Sequence, residues 1–177
     1  VFEDLRTYPK LVGALSYRGA ARAIKFYESV LDFHPRPELH RKNGVWDLGS
    51  PEAAEMAKLA ETTYRDVNIA LANQFALHAR EIGIDMYRVI EACNSQPHSH
   101  LHTPGISVGG HCIPVYPRLY LSTDSAQGIV GPARQLNEDM PRVMVNELRT
   151  ALGTLRGLTA LILGIAYRPG VKEDSFS

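Results

Sequence analysis

Cysteine is scarce: Cys93 and Cys112 are the only two in 177 residues, too few for a disulfide framework, and this leans toward a reducing, cytoplasmic setting. No apolar run approaches the ~20 residues of a membrane span, and "VFEDLRTYPK" at the start has neither the basic nor the apolar region of a secretory signal. Nor is there an excess of charge. Lys plus Arg and Asp plus Glu number 19 each, with no block of one sign, so nothing points to nucleic acid or a membrane surface as a partner. Internal repeats, low-complexity tracts and a G-x-G-x-x-G fingerprint are all missing.

What is present is mostly helical pattern. In "YRGAARAIKFYESVLDF", residues 17–33, Ala20, Ile24, Tyr27 and Leu31 recur at helical spacing and predict a short amphipathic helix. A polar, Pro- and Gly-containing loop follows, in which "GVWDLGS" has the composition of a short strand. Ser50, Pro51 and Glu52 then supply a capping hydroxyl, a proline at the first helical position and an acid in the first turn. From there about 30 residues run without internal Pro or Gly until Gly83. Met56, Leu59, Val67, Leu71, Phe75 and Leu77 cover more than one stripe of this helix, so it is expected to pack against more than one partner. A further helix starts at Asp85 and stops between Asn94 and Pro97. A long pattern over Gly131 to Thr154 contains Pro141, which predicts a kink or break. The apolar run "LTALILGIAY" reads as a buried strand of an α/β sheet, the opening of a further domain; the chain is therefore expected to be a piece of a longer protein.

The candidate chemistry lies in "TPGISVGGHCIPVYP". Gly105, Gly109 and Gly110 lack Cβ atoms, so the backbone can approach a ligand closely and present N–H groups to an anion or a polar sugar. Cys112 at the end of such a loop is either a nucleophile or a small apolar residue filling space. Cys93, late in an amphipathic helix, reads as packing. His98, His100 and His102 in "HSHLH" can share a face, but no Cys or carboxylate stands at zinc spacing, and solvated loop histidines are expected. Lys58, within "AEMAKLA", either snorkels to solvent or offers positive charge to an oxyanion.

Together "AEMAKLAETTYRDVNIALANQFA", "GIDMYRVIEACN", "PGISVGGHCIPVYP" and "LILGIAYRPGVKEDSFS" resemble the UDP-glucose/UDP-mannose dehydrogenase family, and within it the branch oxidising UDP-N-acetylhexosamines to uronates. The resemblance implies a mainly α fold: a central helical dimerisation domain over 51–155, a remnant of the NAD-binding domain over 1–50, and the start of a UDP-binding domain over 156–177. It implies an NAD-dependent 6-dehydrogenase that oxidises a primary alcohol twice, with Cys112 as the nucleophile that carries the sugar between aldehyde and acid and Lys58 supporting the alkoxide. NAD would be held mainly by a domain absent from this chain, which alone is not expected to be active. Thr62, Arg65, Pro104, Gly105, Gly109, Gly110, His111, Tyr116 and Arg168 are the implied substrate-binding residues, and no metal is implied. A homodimer would form through the helix of residues 51–82. Three positions depart from the family: Thr62 where Asn is frequent, Tyr116 where Asp is usual, and Ser175 where Arg is frequent. They leave open an alternative, a truncated, non-catalytic dimerisation or interaction module.

Overall fold

The computed structural model describes residues 2–126, 128–167, 169–172 and 174. The chain is mainly α, and it divides into two compact units, residues 1–58 and 59–177.

In the first unit, α1 (Phe2–Thr7) leads into β1 (Lys10–Val12), α2 (Tyr17–Val30) and β2 (Val45–Asp47). The two strands pair in parallel, with Lys10 opposite Val45 and Val12 opposite Asp47. Parallel neighbours need a crossover, and α2 supplies it. The Ser16 side chain caps α2 by accepting from the Gly19 N–H. Its predicted stripe holds, with Ala20 buried and Ile24, Tyr27 and Leu31 half-buried, although the helix ends at Val30, three residues short of the sequence reading. The strand read in "GVWDLGS" is β2; its partner β1 went unread, being three residues with no alternation to mark it. Asn43 fastens this unit: its buried amide Nδ2 donates to the carbonyls of Arg6, Thr7 and His34 at 3.1, 3.1 and 2.9 Å.

Helix α3 (Pro51–Glu81) runs from the first unit into the second. Its start is the predicted one, with Ser50 Oγ accepting from the Ala53 N–H at 3.2 Å. At its far end the N–H groups of Gly83 and Ile84 return to the carbonyls of Arg80 and Ala79, which closes the helix. The second unit adds α4 (Met86–Asn94), capped by Asp85 as expected, α5 (Tyr116–Thr123) and α6 (Val130–Leu152).

Three expectations can be set against the structure here. Where the sequence predicts a kink or a break, helix α6 passes through Pro141 without a break; the proline removes one N–H and leaves the Asn137 carbonyl without that partner. The run over residues 158–167 forms no strand, and Leu161 and Leu163 are 83% and 87% exposed. A strand exists only by pairing, and among the described residues no other strand lies in this unit to receive it. On α3 the buried face is small and polar, made of Thr62, Thr63, Asp66, Ala70, Ala72, Asn73 and Ala79, while Met56, Leu71 and Phe75 are exposed.

Candidate active site

The cysteine loop is built from the inside outward. Asp66 on α3 is fully buried, and burial holds its carboxyl above the ordinary aspartate range, outweighing the partners that stabilise its charge. Two partners oppose that. Arg134 of α6 donates from Nη1 to Asp66 Oδ1 at 2.6 Å, and Asn137, one turn on, donates from Nδ2 to the same oxygen at 2.8 Å and to the Asp66 carbonyl at 2.9 Å. Asn137 Oδ1 then accepts from Asn73 Nδ2 at 2.9 Å, and Asn73 Oδ1 accepts from the backbone N–H of Gly105, also at 2.9 Å. Arg134 Nη1 is 3.4 Å from the carbonyl oxygen of Ile113. The loop bearing Cys112 is thus tied at Gly105 and again at Ile113 to one buried polar network.

Within the loop, Gly110 is buried with φ of +91°, and a Cβ there would stand 3.4 Å from the ring of Tyr167. Only a residue without a side chain takes this conformation cheaply beneath an aromatic ring. Gly105 does not use that freedom; its part is the N–H given to Asn73. Cys112 is half-buried and unbridged, and its carbonyl accepts from the N–H groups of Val115 and Tyr116 as the chain turns into α5. The Cys112 backbone therefore leads directly into the N-terminus of α5.

The other predicted residues fall in different settings. Lys58 is exposed on α3. Thr62, four residues on, is buried and its hydroxyl donates to the Leu59 carbonyl at 3.1 Å. Arg65 is exposed and pairs with Glu61 at 3.3 Å. Pro104 and Gly105 line a cavity of about 340 Å³ with Ile84, Met86, Tyr87 and Met140. Gly109 is half-buried, His111 exposed, and Tyr116 half-buried as the first residue of α5. Arg168 and Ser175 lie outside the described residues.

Of the three histidines, His98 and His100 are exposed, as expected, but His102 is half-buried with an Nε2 that makes no hydrogen bond among the described residues. Burial, and then the neighbouring Arg65 charge, hold its imidazole below the usual histidine range. No group of three or more His, Cys, Asp or Glu side chains among the described residues is arranged to hold a metal. Sequence reasoning missed Asp66, Asn73, Arg134 and Asn137. The one available signal was polar residues on the inward positions of α3 and α6, where apolar ones are normal.

Residues 52–139 match the model of the UDP-glucose/GDP-mannose dehydrogenase family, central domain. The chain belongs to this family. The family description names GDP-mannose, not UDP-mannose, as its second nucleotide sugar. A curated relative from Pyrococcus horikoshii, UDP-N-acetyl-D-mannosamine dehydrogenase, is 39% identical over 98% of this chain and 40% of its own length. One of the same name from Methanocaldococcus jannaschii is 34% identical over 98% of this chain and 38% of its own length. The chain thus spans about two fifths of the length of the curated relatives it matches. Among solved structures, the UDP-D-ManNAc dehydrogenase of P. horikoshii superposes with a TM-score of 0.85 at 36% identity, over all of this chain and 41% of that one. The UDP-N-acetyl-mannosamine dehydrogenase of Staphylococcus aureus gives 0.80 at 28% identity, over 100% and 40%. The family member thus keeps its helical centre in this chain.

Proposed function

We propose that this chain is part of an NAD-dependent UDP-N-acetylhexosamine 6-dehydrogenase, with UDP-N-acetylmannosamine as the preferred substrate. The observation that carries the reading is that relatives named as UDP-N-acetyl-D-mannosamine dehydrogenases run along 98% of the chain, through the loop that presents Cys112. In this reading residues 1–50 are the end of the NAD-binding domain, 51–155 form the central domain, and 156–177 begin the UDP-binding domain.

NAD supplies the oxidising power of the family reaction, two equivalents per sugar. The described residues do not fit it. The turn after β1 packs tightly against protein, where a Cβ on Gly13 would lie 2.0 Å from the Ser50 carbonyl oxygen, and no G-x-G-x-x-G fingerprint stands in the sequence to cradle a pyrophosphate. The cofactor cradle is therefore assigned outside this chain.

What the chain's own residues contribute is the covalent chemistry at C6. The Cys112 sulfur adds to the aldehyde carbon; a C–S bond forms, and the carbonyl electron pair moves to oxygen as an alkoxide whose charge Lys58 balances. Once that carbon has been oxidised to the thioester, water attacks it, the C–S bond breaks, and the carboxylate leaves with the thiol restored. The loop Pro104–Gly110 with His111 holds the sugar, while Arg65, Thr62 and Tyr116 border it and Arg168 serves the diphosphate. Thr62 would have to turn its hydroxyl from the Leu59 carbonyl to reach a ligand. The test is Cys112→Ala in the full-length protein, followed by NAD reduction and product mass. Loss of the uronate supports the assignment, and both oxidations at the normal rate overturn it.

The same reading includes a homodimer through the helix of residues 51–82. Its support is the exposure of Met56, Leu71 and Phe75 on a helix whose buried face is otherwise small and polar.

A further inference from the structure

We propose that Asp66, Asn73, Arg134 and Asn137 are positioning residues for Cys112: their buried chain of hydrogen bonds grips the loop 105–113 at both ends and thereby fixes where the thiol stands. The inference rests on the nucleophile reading of Cys112 given above.

All four residues are at most 5% exposed. A core that served only stability would fill this space with apolar side chains, since a buried ion pair is seldom better than its hydrophobic replacement. Directional bonds do something apolar packing does not: they fix orientation as well as distance. Here the direction can be followed atom by atom. The Asp66 carboxylate is an acceptor, so Asn137 must turn Nδ2 toward it. That leaves Asn137 Oδ1 to accept from Asn73 Nδ2, which in turn leaves Asn73 Oδ1 as the atom facing the loop. Gly105 meets it with an N–H at 2.9 Å, so the donor and acceptor order of the whole chain is set by one carboxylate. At the other end Arg134, held by Asp66 and flanked by Glu138 at 3.4 Å, faces the Ile113 carbonyl, one residue beyond Cys112. A nucleophile displaced by ~1 Å loses ~100-fold in rate, so a grip this close to the sulfur bears directly on turnover.

Two readouts test this in the full-length enzyme with NAD and UDP-N-acetylmannosamine. In Asn73→Ala, kcat is expected to fall about tenfold or more with KM within about twofold, because the loop is loosened and not removed. In the same protein, site-resolved iodoacetamide labelling should change at least about threefold at Cys112 and stay at the wild-type rate at Cys93, which sits on α4 away from the network. Asn73→Asp supplies the acceptor for Gly105 and, when protonated, an O–H for Asn137, so it should regain part of the lost kcat, relative to wild type, as pH is lowered. Wild-type kcat and wild-type labelling in a folded Asn73→Ala protein would overturn the proposal, as would equal changes at Cys93 and Cys112, which mean general loosening. If Asn73→Ala fails to fold, Arg134→Lys, which keeps a cation beside Asp66 but is shorter than the arginine whose Nη1 serves both Asp66 and Ile113, is read in the same way. An active Cys112→Ala enzyme would remove the nucleophile reading alone, and the labelling comparison would still decide whether the network places the thiol.

Discussion

Arg134 and Asp66 come from positions 68 apart in sequence and meet at 2.6 Å in the interior of the second unit, with side chains 6% and 0% exposed. A pair this deep has already given up its hydration, so its value shows when one partner is removed.

Arg134→Met leaves the Asp66 carboxylate buried without its cation and is expected to cost about 3 to 5 kcal/mol. Chemical denaturation at neutral pH measures it. The double variant Asp66→Leu with Arg134→Met should recover a good part of that loss, because no charge is then stranded. A single variant as stable as wild type would show that the pair contributes little.

Gly110→Ala places a side chain at φ of +91° and 3.4 Å from the Tyr167 ring. The left-handed backbone alone costs an alanine about 1 to 2 kcal/mol. A lowered melting temperature is expected, together with altered access to Cys112; Gly105→Ala, outside the left-handed region and meeting only the Ser107 carbonyl oxygen at an ordinary 3.8 Å, should be milder.

His102 gives a pH dependence whose sign is fixed by its surroundings. Its pKa in the fold is lowered, by burial first and by Arg65 second, so the unfolded chain binds the proton more readily. Its contribution to stability is complete above the unfolded value near 6.5 and is lost as pH falls through the depressed folded value. Melting temperature across that window should drop more steeply for wild type than for His102→Gln. Parallel curves would show that the imidazole is not the group responsible.

Phe75→Glu with Leu71→Glu places charge on the exposed apolar positions of α3 without entering the buried face. The expected outcome is a shift from dimer to monomer in light scattering at micromolar concentration, with helicity unchanged. An unaltered dimer would move the interface elsewhere.

Much of the fold was legible because it is written locally. Ser50 and Asp85 each cap a helix through a side chain two or three residues from its partner N–H, and proximity of that kind needs no tertiary knowledge. The loop of Cys112 was legible as a glycine-rich turn ahead of a helix. What holds that loop was not: Asn73 and Asn137 are 64 positions apart, and an asparagine on a helix is an unremarkable surface residue until its partner is known. The run over 158–167 failed for the complementary reason. Its composition suits a strand, but a strand is a relationship between two segments, and composition describes only one.

Asn43 is followed by Gly44, the neighbour that least hinders its own backbone nitrogen from attacking the asparagine side-chain carbonyl carbon. In the folded first unit that reaction is opposed, because ring closure would pull the amide from the Arg6, Thr7 and His34 carbonyls it serves. Should the ring form and open to aspartate, a carboxylate would face those same oxygens and repel them. The fastening of the first unit therefore doubles as a guard against chemical ageing: chain kept folded stays renewable, whereas chain stored unfolded gathers a lesion, traceable as a one-dalton gain on the Asn43 peptide, that forbids its return.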